Sequence, residues 1–154
     1  MKKFFAFFTA ALLLCACSDT DNNESVVKGG LSSGTTNYKG TMVVTYQGED
    51  VSTPDVVLSV NYNKSSSSAE ILFNQVKFVP QMPISLDITV PDVTAKQSGS
   101  TLLLSGTGMI PTVGGVPYEQ YEASNLSGNI KSGYLELQVS FGSFPVRFLG
   151  AQIE

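Results

Sequence analysis

Apolar and polar residues alternate with a period of two through most of this chain, and that pattern leaves little room for anything but β-structure. Ile84, Leu86, Ile88 and Val90 alternate with Ser85, Asp87 and Thr89; Leu135, Leu137, Val139 and Phe141 alternate with Glu136, Gln138 and Ser140. Successive side chains of an extended strand point to opposite faces, so each run has one apolar and one polar face. The same period governs Met42, Val44 and Tyr46; Val56, Leu58, Val60 and Tyr62; Ile71 and Phe73; Leu102 and Leu104; and Phe144, Val146 and Phe148. Residues 121–130 form a weaker run, and no stretch carries a convincing helical period. Short turn signals separate the runs: serines at 65–68, Ser132-Gly133 and Gly142-Ser143, with a Gly/Pro loop over residues 111–117. About eight strands joined by short links favour antiparallel neighbours. The expected fold is therefore all-β, a single antiparallel up-and-down barrel of about eight strands, in which closure removes exposed edges. A two-sheet β-sandwich is the alternative.

The first residues carry an address. Lys2 and Lys3 form a short cationic start, and residues 4–14 are an apolar run of 11, too short to span a bilayer, which takes roughly 20 residues. Leu14-Cys15-Ala16-Cys17 follows. Lipoprotein processing needs a branched apolar residue three before the modified cysteine and a small residue immediately before it; Leu14 and Ala16 satisfy this for Cys17, whereas Cys15 follows the bulky Leu14. Residues 1–16 are thus expected to be a cleaved lipoprotein signal peptide, and residues 17–36 an acylated Cys17 with a polar, acidic tether. Residues 37–154 are the barrel domain. More than one acyl chain, at about 0.8 kcal/mol per buried CH₂, anchors a protein stably to a membrane. Asp19, Asp21 and Glu24 follow Cys17 in a stretch that resembles the surface-export signal of Bacteroidetes lipoproteins. The expected location is the cell envelope, lipid-anchored to the outer membrane, with its periplasmic and its extracellular, surface-exposed face both left open.

Composition removes whole classes of chemistry. Loss of Lys2 and Lys3 leaves seven basic residues against 13 acidic ones, scattered singly, so no cationic patch exists to displace phosphate counterions and nucleic acid is excluded as a partner. The chain has no histidine and no tryptophan, and its two cysteines are Cys15 and Cys17. Ser-His-Asp and Cys-His catalysis and metal sites built on His or Cys are therefore ruled out. No cofactor, metal site or catalytic residue is expected, and the domain reads as non-enzymatic. Glu119 and Glu122, beside Tyr118 and Tyr121, are a carboxylate pair of the kind glycosidases use, but an extended chain would point them to opposite faces.

Tyr38-Lys39-Gly40-Thr41-Met42, residues 87–93 (Asp-Ile-Thr-Val-Pro-Asp-Val), Leu126-Ser127-Gly128-Asn129-Ile130 with Leu135-Glu136-Leu137, and the closing Phe148-Leu149-Gly150 together resemble the calycin-like β-barrel domain family of Bacteroidetes lipoproteins. That resemblance implies a lipocalin-like barrel and, by analogy, ligand binding. True lipocalins carry Gly-x-Trp near the first strand; here Gly40 is followed by Thr41 and Met42.

An eight-stranded barrel is just wide enough to be filled by side chains or to hold one small ligand. The expected ligand-binding interior is Met42, Val44, Tyr46, Leu58, Val60, Phe73, Leu86, Ile88, Leu104, Phe141 and Phe148. It is apolar, suiting a small apolar ligand. Arg147 has the opposite parity to Val146 and Phe148 and is expected to point outward. Tyr118 and Tyr121, next to the 111–117 loop, are expected rim contacts for a glycan or protein partner. The alternative function is a structural or interaction module within an outer-membrane complex.

Overall fold

A computed structural model describes residues 31–154. The signal peptide, Cys17 and the tether up to residue 30 lie outside the described residues. Eight strands form a closed antiparallel barrel: β1 (Gly34–Tyr46), β2 (Glu49–Asn63), β3 (Ser68–Val76), β4 (Leu86–Ser98), β5 (Thr101–Gly106), β8 (Ala123–Lys131), β9 (Tyr134–Phe141) and β10 (Phe144–Ile153). The wall is a meander that closes once: consecutive strands pair throughout, β3 with β4 through Phe73 opposite Ile88, and β10 returns to β1, with Met42 opposite Phe148. The expected up-and-down barrel is the observed one, and the sandwich is not formed. No helix among the described residues is long and apolar enough to cross a membrane.

Three features depart from the sequence expectation. Pairing begins three residues before the expected domain boundary: Thr36 lies opposite Val60 and Gly34 opposite Tyr62, because the hydrogen-bonding edge of β2 extends that far. The Gly/Pro loop is a small hairpin, β6 (Thr112–Val113) and β7 (Val116–Pro117), laid against β4 through Val113 opposite Ile88. Its Gly114 and Gly115 have φ of +57° and +80°, the pair of positive values that a two-residue type I′ turn demands. Finally, Ile84 lies before β4 and is 63 % exposed rather than on its inner face.

Four bulges close the barrel. Each adds one residue to one strand, and each contains a non-glycine residue with positive φ: Asp55 in β2, Gln75 in β3, Asp92 in β4 and Asn125 in β8. Bulges sharpen twist and curvature, which a closing sheet needs. Asp and Asn tolerate the left-handed conformation better than other residues. The backbone N–H and the side-chain amide of Gln75 both donate to Asp87, each at 2.8 Å, which pins the β3 bulge.

The interior is one continuous apolar cluster, and no polar or charged residue is buried among the described residues. Tyr38 and Tyr62 are its polar-tipped members, and Tyr38 is fully buried, with no hydrogen-bond partner for its hydroxyl. Burial, outweighing the nearby Thr36 side chain, pushes its phenol up to about 12. The unfolded phenol ionises near pH 10, so the unfolded state loses this proton first. The folded state keeps its full advantage below about pH 10 and loses it as pH rises through about 12, up to about 3 kcal/mol for a shift of this size. Tyr38→Phe should remove that part of the alkaline slope. It should also be more stable at neutral pH by about 1 kcal/mol, because an unpaired buried hydroxyl is gone. Chemical denaturation of both proteins across alkaline pH measures this, and identical slopes would refute it.

Candidate functional site

The two barrel ends differ. At one end lie the start of β1, the end of β10 and the β2–β3, β4–β5 and β8–β9 turns. There the Lys64 amide donates to the Ser33 hydroxyl (2.9 Å) and the Gln152 amide to the Gly133 carbonyl (2.7 Å). At the other end, the mouth, Tyr46 at the end of β1 stacks on Phe144 at the start of β10, with ring centroids 6.0 Å apart. The β3–β4 connection and the β6–β7 hairpin lie at this mouth.

A cavity of about 220 Å³ occupies the mouth. Its aromatic lining is Phe78, Tyr118, Tyr121, Phe141 and Phe144, and its aliphatic lining is Val79, Met82, Leu86, Ile88 and Pro111. No charged side chain lines it. The rings form a connected series from core to rim. Phe73 meets Phe141 edge-on at 5.3 Å, Phe141 meets Phe78 at 4.9 Å, Phe78 meets Tyr121 at 6.4 Å, and Tyr121 stacks on Tyr118 at 5.1 Å. These are the offset and edge-on geometries that the ring quadrupole favours.

Backbone hydrogen bonds hold the tyrosines in place. Met109 and Ala123 exchange both amide bonds (3.1 and 2.8 Å), and the Tyr118 amide donates to the Pro111 carbonyl at 2.8 Å. Glu119–Tyr121 is a single 3₁₀ turn, tied to the β9–β10 turn by the Gly142 amide donating to the Glu122 carbonyl at 3.0 Å. The condition under which the two carboxylates would point to opposite faces, an extended chain, is therefore not met. Glu119 opens this turn, Glu122 follows it as the C-cap, and both are exposed.

No protein-family model matches this chain, and no curated protein matches it.

The expected site residues divide among three environments. Leu58, Val60, Phe73, Leu104 and Phe148 are at most 2 % exposed and belong to the packed core. Leu86, Ile88 and Phe141 line the mouth cavity, together with the expected rim residues Tyr118 and Tyr121. Met42 and Val44 are buried in the core, where they also floor a separate cleft in the barrel wall, and Tyr46 stands half-buried at the rim. Sequence reasoning missed Phe78, Val79, Met82, Pro111 and Phe144 as lining residues. Phe78 matters most, because it touches Phe141, Phe144 and Tyr121 from a connection without strand pairing. The chain does carry a signal for it: a large aromatic residue in a connection broken by Pro80 and Pro83.

Arg147 points outward, as expected, and forms an ion pair with Asp50. The Thr45 hydroxyl donates to Asp50 at 2.7 Å, and together with Arg147 it holds that carboxyl below the usual range. This cluster lies on the outer wall at the mouth end of the barrel, outside the cavity lining.

Proposed function

We propose that this chain is an exported, membrane-anchored lipoprotein whose non-enzymatic, calycin-like barrel takes a small uncharged ligand bearing a ring into its mouth. The observation that carries this reading is the charge-free, aromatic-lined cavity. An ion entering it would lose its hydration without a countercharge, so neutral molecules are favoured. Its volume falls below the roughly 300–1,000 Å³ of pockets that hold drug-sized ligands, so it suits a ring or the ring-bearing end of a larger molecule. The leader and Cys17 support the anchor, and the eight-stranded meander supports the calycin-like reading. β1 begins at the end opposite the mouth, so an anchor at Cys17 would join the barrel at that end.

Two experiments test the two halves. Cys17→Ala should release the protein from outer membranes while Cys15→Ala should not; a membrane-bound, acylated Cys17→Ala protein would remove the anchor from Cys17. The neutral dye N-phenyl-1-naphthylamine should brighten on binding, and Tyr121→Ala should weaken it about tenfold through lost stacking. No binding, or binding indifferent to Tyr121, would refute the mouth site.

Ile84 and Val116, 63 % and 64 % exposed beside this mouth, favour a second reading, an interaction module that meets a partner protein. A photoreactive side chain at position 116 should then give one discrete conjugate in intact membranes; a smear or no conjugate would dismiss that reading.

A further inference from the structure

The barrel wall has a gap. Residues 57–63 of β2 pair with β3, but residues 49–56 pair with β1 alone, so the upper half of β2 stands apart from the end of β3. A cleft of about 370 Å³ fills that gap. Met42, Val44, Val56 and Val76, all buried, form its floor, and hydroxyl and amide side chains including Ser52 and Gln75 form its rim. Lys77 is its single charged residue, exposed and without a salt bridge among the described residues. The cleft is separate from the mouth cavity, and Phe78 and Val79 line both, which makes them the partition.

A deep apolar floor, a polar rim and one cation suit a molecule with an apolar tail and one negative head. The tail gains from removing apolar surface from water, at about 25 cal/mol per Å². The head gains a charge-assisted hydrogen bond from the ammonium at the cleft edge, so it need not be buried. We propose that this side cleft is a second binding site, for a medium-chain aliphatic carboxylate whose carboxylate meets Lys77. The site is distinct from the mouth in shape and charge. It supplies the cationic anchor for a lipid that Arg147, on the outer wall, cannot provide.

The partition implies coupling. Phe78 lines the cleft and also meets Phe141 and Tyr121 at the mouth, so a chain in the cleft that displaces this ring alters the mouth. Residues 77–85 can yield, since their backbone amides are held beyond the strands by two described bonds, Met82 N–H to the Val79 carbonyl at 3.1 Å and Phe78 N–H to the Met82 sulfur at 3.2 Å.

The test uses the full chain carrying Cys17→Ala, so that no attached acyl chain competes. Decanoate and 1-decanol are titrated by calorimetry, with amide chemical shifts locating the bound molecule. Decanoate should bind more tightly than 1-decanol and shift the amides of Gln75 and Ser85. Lys77→Gln, at an exposed position that leaves the fold intact, should weaken decanoate about tenfold and leave 1-decanol unchanged. Equal binding of both molecules, or decanoate binding unmoved by Lys77→Gln, would overturn the proposal. Decanoate binding abolished by Tyr121→Ala with no shift at Gln75 would also overturn it, by assigning the acid to the mouth. The mouth reading stands or falls separately, on the neutral dye.

Discussion

Gly40→Ala should be the most damaging small substitution in this barrel, costing about 3 kcal/mol or more. Gly40 of β1 lies opposite Gly150 of β10, at the seam where the last strand returns to the first. A methyl group at Gly40 would overlap the Leu149 carbonyl oxygen and the Gly150 Cα, both backbone atoms that no rotamer change can move. On the other edge of β1, the register slips between Gly40 and Met42 at the β2 bulge, where the Lys39 ammonium meets Asp55 at 3.0 Å. The seam is thus constrained from both sides and can accept the methyl only by separating strands. Overpacking ordinarily costs about 1–3 kcal/mol, and more where backbone must shift. Gly48→Ala is the control. Its φ of +84° makes alanine unfavourable, but nothing lies within 4 Å, so it should cost only about 1–2 kcal/mol. Urea denaturation of both variants checks this; equal losses would mean that close approach at the seam is not what Gly40 provides.

Phe141→Ala should cost about 3–5 kcal/mol and change the mouth at the same time. The ring is fully buried, packed edge-on against Phe73 below and tilted against Phe78 above. It belongs both to the core and to the lining of the mouth cavity. Its removal deletes the transfer free energy of a phenyl group and leaves a void that strand backbones cannot close, because β8 and β10 flank it through Ala123 and Phe144. Against a total stability of about 5–15 kcal/mol, this is a large fraction. Phe141→Leu, which keeps most of the volume, should cost about half as much. A loss below about 1 kcal/mol for the alanine variant would mean that the aromatic series is not a packed unit.

Much of the wall is legible in the alternation of apolar and polar residues. Strands β9 and β10 follow it without a break, and their buried residues, from Leu135 to Phe148, are those that parity assigns. Parity fails across bulges. In β4, Val90 points inward, but the extra residue at Asp92 resets the count, so Val93 and Ala95 are buried. Leu126 follows the Asn125 bulge in the same way. A bulge shifts every later side chain by one place, and nothing in a period-two pattern locates it in advance. The positive φ at Asp55, Asp92 and Asn125 is the local trace, because Asx residues bear it most readily.

The candidate site is half legible. Tyr118 and Tyr121 stand out as aromatics beside a Gly/Pro-rich segment, and they do lie at the mouth cavity. Their environment does not show in the sequence. The 3₁₀ turn that presents them depends on hydrogen bonds to the Pro111 carbonyl and from Gly142, which arrive from other segments. Phe78 carries no periodic signal because it sits in a connection.

The sequence alone decided the eight wall strands, the antiparallel order and the inner identity of most apolar residues. Each follows from local sterics: alternating side chains, short turns and the cost of burying charge. Tertiary structure decided the rest. The return of β10 to β1, the gap beside β2 and the partition at Phe78 depend on how far bulges rotate one strand against the next. That rotation is a property of the closed ring, in which each strand must meet two neighbours at once, and no single segment encodes it.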